Sequence, residues 1–85
     1  MALRRHPDVA WQTIGDEAVL MSLAEGRALG LNPTGAFVWS LVGERDEDGL
    51  VSAVVERFAT DREQASDDVR GFLALLRERG LVVEA

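Results

Sequence analysis

The apolar pattern of the chain changes period once, from about two residues to about 3.6, and the change falls at Asn32-Pro33. Strand-like runs lie before that point and helix-like runs after it. Segregated blocks of this kind predict an α+β domain, because parallel βαβ units would alternate the two periods. With 85 residues and 47% apolar side chains, the chain reads as one domain, 1–85, able to build a single core.

Three extended runs precede the switch. Val9 to Ile14 is β-branched and aromatic, and Gly15-Asp16-Glu17 supplies turn chemistry after it. Ala18 to Leu23 follows, with Val19, Met21 and Leu23 on one face and Ala18, Leu20 and Ser22 on the other. A turn at Ala24-Glu25-Gly26 leads into Arg27–Leu31. Such short connections predict a three-stranded antiparallel meander.

Three helices are expected next. Asn32 is a cap and Pro33 occupies the first helical position, where no N–H is needed. This helix runs to Val42, is apolar almost all round, and reads as the buried central one, with Trp39 and Trp11 at or near the core. Gly35 inside it costs about 1 kcal/mol relative to Ala, so another element is expected to approach its backbone. The acidic loop 44–48, with a capping Asp, precedes a second helix from about Gly49 to Ala59. A capping box, with Thr60 as the cap and Glu63 reaching back, opens the third. Its apolar stripe is Ala65, Val69, Phe72, Leu73 and Leu76, and Gly80 ends it before a short apolar tail, Leu81-Val82-Val83. The basic start, with His6 between Arg5 and Pro7, reads as a loose terminus.

Composition removes most chemistries. There is no cysteine, lysine or tyrosine, and His6 is the single histidine. No folded-element base stands ready for a serine nucleophile, no Walker lysine exists, and the carboxylates at 46–48 lack calcium-loop spacing. No enzyme activity, metal or cofactor is expected. A net charge of −6 opposes nucleic-acid binding, which draws its affinity from phosphate neutralisation. No apolar run reaches the length of a membrane span, and none follows the N-terminus as a signal peptide would require, so the chain reads as cytoplasmic with no membrane partner.

The third strand is different. Ala28, Leu29, Gly30 and Leu31 carry no edge guard beyond Arg27. Such an edge is covered by the chain's own tail, is paired in a homodimer, or is left open for a peptide to add as a further strand. The residues alone leave these readings balanced.

A resemblance enters here. Pro7-Asp8-Val9-Ala10-Trp11, Gly15-Asp16-Glu17-Ala18-Val19-Leu20, the run Gly26 to Ala36 containing Leu31-Asn32-Pro33-Thr34-Gly35, Trp39 to Gly43, and Asp68-Val69 with Phe72-Leu73, Leu76 and Gly80-Leu81 together resemble the PqqD-like family, the recognition elements of ribosomally made, modified peptides. The Asn-Pro-Thr-Gly form with Trp39 is closer to freestanding lasso-type and generic members than to the quinone-pathway protein. The resemblance implies a non-catalytic, winged helix-turn-helix-like domain. Such a domain docks the leader segment of a precursor peptide as an antiparallel strand and presents it to a maturation enzyme, a leader peptidase or a radical-SAM protein. Carried onto this chain, the docking strand is Arg27–Leu31. The groove wall is Ala65, Val69, Phe72, Leu73 and Leu76, with Arg70 or Arg77 near the rim. A DNA-binding winged helix and an edge-mediated dimerisation module are the alternatives.

Overall fold

Asn32 divides the fold in two, and its mechanism is a hydrogen bond. The Gly35 N–H donates to Asn32 Oδ1 at 2.8 Å, and Pro33 follows with the φ a first helical turn requires. In the computed structural model, which describes residues 3–84, strands β1 (Leu3–Arg5), β2 (Val9–Ile14), β3 (Glu17–Ser22) and β4 (Arg27–Leu31) lie before this cap. Helices α1 (Pro33–Leu41), α2 (Glu47–Phe58) and α3 (Arg62–Glu78), then β5 (Val82–Glu84), lie after it.

Strands β2, β3 and β4 form the expected antiparallel sheet, in that order. Gly15, at φ +63°, allows the two-residue turn between Ile14 and Glu17, and the wider turn into β4 closes with the Gly26 N–H donating to Ser22 O at 2.8 Å. The register places Trp11, Leu20 and Leu29 side by side, and likewise Gln12, Val19 and Gly30. One face therefore carries Ala18, Leu20 and Leu31 into the core. The other leaves Ile14, Val19 and Met21 in solvent. Gln12 and Glu17 share this outer face, but along the second run its members Val19, Met21 and Leu23 are wholly apolar, so apolarity alone does not say which side of Ala18–Leu23 is inside.

The helices cover the inner face. Val38 and Trp39 from α1, Leu50, Val51 and Val54 from α2, and Ala65, Val69, Leu73 and Leu76 from α3 join the strand residues in one cluster. Helix α1 is not enclosed all round: Ala36, Phe37 and Leu41 are half-buried, and Ser40 is exposed. Asp46 caps α2 by accepting from the Gly49 N–H at 2.8 Å. The cap of α3 is Asp61, which accepts from the Gln64 N–H at 2.8 Å, rather than Thr60. Both residues suit a cap chemically, and the carboxylate one position later wins.

Two strands were not expected. The basic start is not loose: β1 pairs antiparallel with β5, Leu3 opposite Glu84 and Arg5 opposite Val82. The tail Leu81–Val83 therefore belongs to this ladder and does not cover the edge of β4. The His6 N–H donates to Leu81 O at 3.0 Å, and His6 Nδ1 accepts from the Asp8 N–H at 3.0 Å, which turns the chain from β1 into β2.

Strand β1 also holds α1 in place. The Arg5 guanidinium donates to Trp39 O from Nε at 3.1 Å and from Nη2 at 3.0 Å, and to Ser40 O at 2.8 Å. It thereby serves two carbonyls of the last turn, Ser40 O and Trp39 O, the second of which also accepts from the capping Val42 N–H at 3.2 Å. The same guanidinium lies 4.7 Å from the Trp11 ring centre and 5.5 Å from that of Trp39, while the two rings meet edge to face at 5.6 Å. Trp39 is fully buried and Trp11 stays half in solvent at the sheet margin.

Candidate functional site

The direction of every backbone group on β4 follows from the β2–β3 turn. A two-residue hairpin turn makes Ile14 and Glu17 a hydrogen-bonded pair, so Glu17, Val19 and Met21 direct their N–H and C=O groups to β2. The Leu23 N–H, donating to Asp8 O at 3.0 Å, continues that series. Ala18, Leu20 and Ser22 then bond towards β4, to their opposites Leu31, Leu29 and Arg27. The alternate residues, Ala28 and Gly30, aim their N–H and C=O groups away from β3. Among the described residues no strand pairs with that side of β4.

Beside this edge lies α3. A stripe of α3 spaced four, seven and eleven residues from Asp68 comprises Asp68, Phe72, Leu75 and Arg79, which fall on one side of the helix and its terminal turn. At the far end of β4, Asn32, Thr34, Gly35 and Val38 face Asp68 and Phe72 across a cleft of about 210 Å³. At the near end, Leu29, Arg27 and Glu25 meet Arg79 and Leu81 around a small depression. The approach expected at Gly35 is made by α3: a Cβ there would lie 3.4 Å from Phe72 Cε1.

The predicted residues thus divide. Arg27, Ala28, Leu29, Gly30 and Leu31 form β4 with the bounds read from the sequence. Of the α3 residues, Phe72 is half-buried and lines the cleft, whereas Ala65, Val69, Leu73 and Leu76 are at most 1% exposed and belong to the core beneath it. Arg70 points to α2, 3.6 Å from Glu47, and Arg77 reaches β5, where its Nε donates to Glu84 Oε1 at 3.3 Å. Neither borders the cleft beside β4. Asp68 and Arg79 do, and the helical spacing counted from Phe72 was the signal that could have found them.

Chemically, the arrangement offers main-chain donors and acceptors, a half-buried aromatic ring and isolated charges. Among the described residues no three His, Asp or Glu side chains converge as metal ligands.

A family model described as coenzyme PQQ synthesis protein D (PqqD) matches residues 17–82. The chain belongs to the PqqD family. The PqqD match spans β3 to the start of β5, which takes in the whole of β4, the cleft and α3. This PqqD-family chain is also similar to the solved structure "TbiB1 in Complex with the TbiA(beta) Leader Peptide", at 30% identity over 96% of each chain and a TM-score of 0.88. Its fold is shared with "Lasso peptide synthetase B1 complexed with the leader peptide", at 19% identity over 99% of this chain and 100% of that one, with a TM-score of 0.85. No protein of curated function matches.

Proposed function

We propose that this chain is a non-catalytic binding module. It captures the leader segment of a ribosomally synthesised precursor peptide as an antiparallel strand on β4, beside α3, and presents it to a maturation enzyme. The carrying observation is the free edge of β4, with Ala28 and Gly30 directed outward next to the Phe72 cleft. Main-chain bonds along such an edge supply affinity, and pockets for alternate side chains supply specificity. The 30%-identical TbiB1 was solved with a leader peptide bound, which supports the same class of ligand here. The maturation enzyme is a leader peptidase or a radical-SAM protein, and the chain works in the cytoplasm; among the described residues no helix is long and apolar enough to cross a membrane.

The test is a titration of the labelled chain with the leader of a short precursor frame encoded beside its gene. Saturable binding with backbone amide shifts concentrated at Ala28 and Gly30 is the expected result. Shifts confined to β2 would move capture to the opposite edge of the sheet, and sedimentation as a dimer that the leader does not alter would replace strand capture with the dimerisation reading.

A further inference from the structure

Two separate depressions lie on the α3 side, one beyond the Leu31 end of β4 and one at its Arg27 end, and they carry opposite charges. Asp68 borders the first, beside the uncharged Asn32 and Thr34. Gln64 Nε2 donates to Asp68 Oδ1 at 2.9 Å, and no cation pairs with Asp68 among the described residues. At the other end, Arg27 and Arg79 approach the second depression with one carboxylate, Glu25, so that end stays net positive. The described ion pairs involve Arg70 and Arg77, which leaves Arg27 and Arg79 without a carboxylate partner.

Direction and distance turn this into a sequence preference. An antiparallel added strand runs from the Leu31 end of β4 to the Arg27 end, so its earlier residues pass Asp68 and its later ones pass the two arginines. Arg79, the C-cap of α3, lies eleven positions beyond Asp68, about 16 Å at about 1.5 Å per residue. Cleft-facing side chains on a strand recur about every 6.8 Å, so three of them cover roughly 14 Å. We infer that this edge selects an extended peptide segment with Lys or Arg at position i, an apolar residue at i+2 over Phe72 and Leu29, and Asp or Glu at i+4, in that order along the chain. This rests on the strand-capture reading and adds the chemistry of its ligand.

A random peptide library displayed against the full chain provides the test. Peptides enriched on the wild type and lost on Gly30→Pro are expected to carry the cation, apolar residue and anion at alternate positions in that order. One such peptide, resynthesised, should bind roughly tenfold more tightly at low salt than the same peptide with its two charges exchanged. About 1 M salt should bring the two to near parity. The double variant Asp68→Lys with Arg27→Glu should prefer the exchanged peptide, and if it does not fold, the salt comparison on the wild type decides alone. Edge-dependent peptides with no charge order, or with the reverse order, would overturn the inference while leaving strand capture standing. Failure to enrich any peptide that Gly30→Pro loses would overturn strand capture itself, and the inference with it.

Discussion

Phe72 rests against the hydrogen of Gly35: a Cβ built on that glycine would lie 3.4 Å from Phe72 Cε1 and 3.3 Å from the capping Asn32 Oδ1. Helix α1 and helix α3 therefore meet where one of them has no side chain, and the same contact sets the width of the cleft beside β4. Gly35→Val should lower stability by about 1–3 kcal/mol through overpacking, and should narrow the cleft by displacing the Phe72 ring. Urea unfolding reports the first effect. Weakened leader binding in the fraction still folded reports the second.

Arg5 is expected to matter more than its place near the N-terminus suggests. Arg5→Ala removes three donations to Trp39 O and Ser40 O and the guanidinium between two indoles, so a loss of about 1.5–3 kcal/mol is expected in thermal unfolding. Arg5→Lys should restore only part of it, since an ammonium cannot reproduce the planar fork. A midpoint unchanged in both variants would show that the clamp does not hold α1.

Proline should act differently at neighbouring positions of β4. Leu29 bonds inward to Leu20, so Leu29→Pro breaks the ladder and should destabilise the sheet. Gly30→Pro and Ala28→Pro remove an outward donor and should spare most of the stability while reducing leader affinity. Paired melting and titration experiments on each variant check the alternation. Unchanged affinity in folded Gly30→Pro and Ala28→Pro would move the binding site elsewhere.

Leu73 and Phe72 are adjacent but differ in burial, Leu73 being 1% exposed and Phe72 only half-buried. Leu73→Ala should cost about 2–5 kcal/mol by leaving a cavity. Phe72→Ala should cost less and should weaken leader binding more. Chemical denaturation of both variants, with the leader titrated against each, separates core from cleft.

The cap of α3 gives a compact check on the helix start. Asp61→Ala should destabilise by about 0.5–2 kcal/mol, and Thr60→Ala by much less, since Asp61 supplies the acceptor for the Gln64 N–H. Equal losses in thermal unfolding would return the cap to Thr60.

Local chemistry explains which parts were readable in advance. Asn32-Pro33 and Asp46 act through bonds three residues away, and the bounds of β4 are set by Gly26 on one side and Asn32 on the other, so each is a short-range signal. Strands β1 and β5 hold three residues each and exist because opposite ends of the chain meet, a contact no local window contains. The α3 side of the cleft is harder to read locally. Ala65, Val69, Leu73 and Leu76 are apolar because they fill the core, and they flank Phe72 on the helix, so apolarity alone does not separate the core positions of α3 from the one that lines the cleft. Arg70 and Arg77 were eligible by charge, but they lie about half a helical turn away from Phe72.

The pairing of Leu3 with Glu84 has a mechanical consequence. Both described ends leave from the same side of the β1–β5 ladder, so tension applied between them loads its hydrogen bonds one after another, in the manner of a zipper. The last pair to open, Arg5 with Val82, includes the residue that clamps the end of α1. A tether pulling on both ends would thus peel the small sheet first and loosen α1 next, while the β2–β3–β4 sheet, which lies outside the line of force, keeps its edge intact.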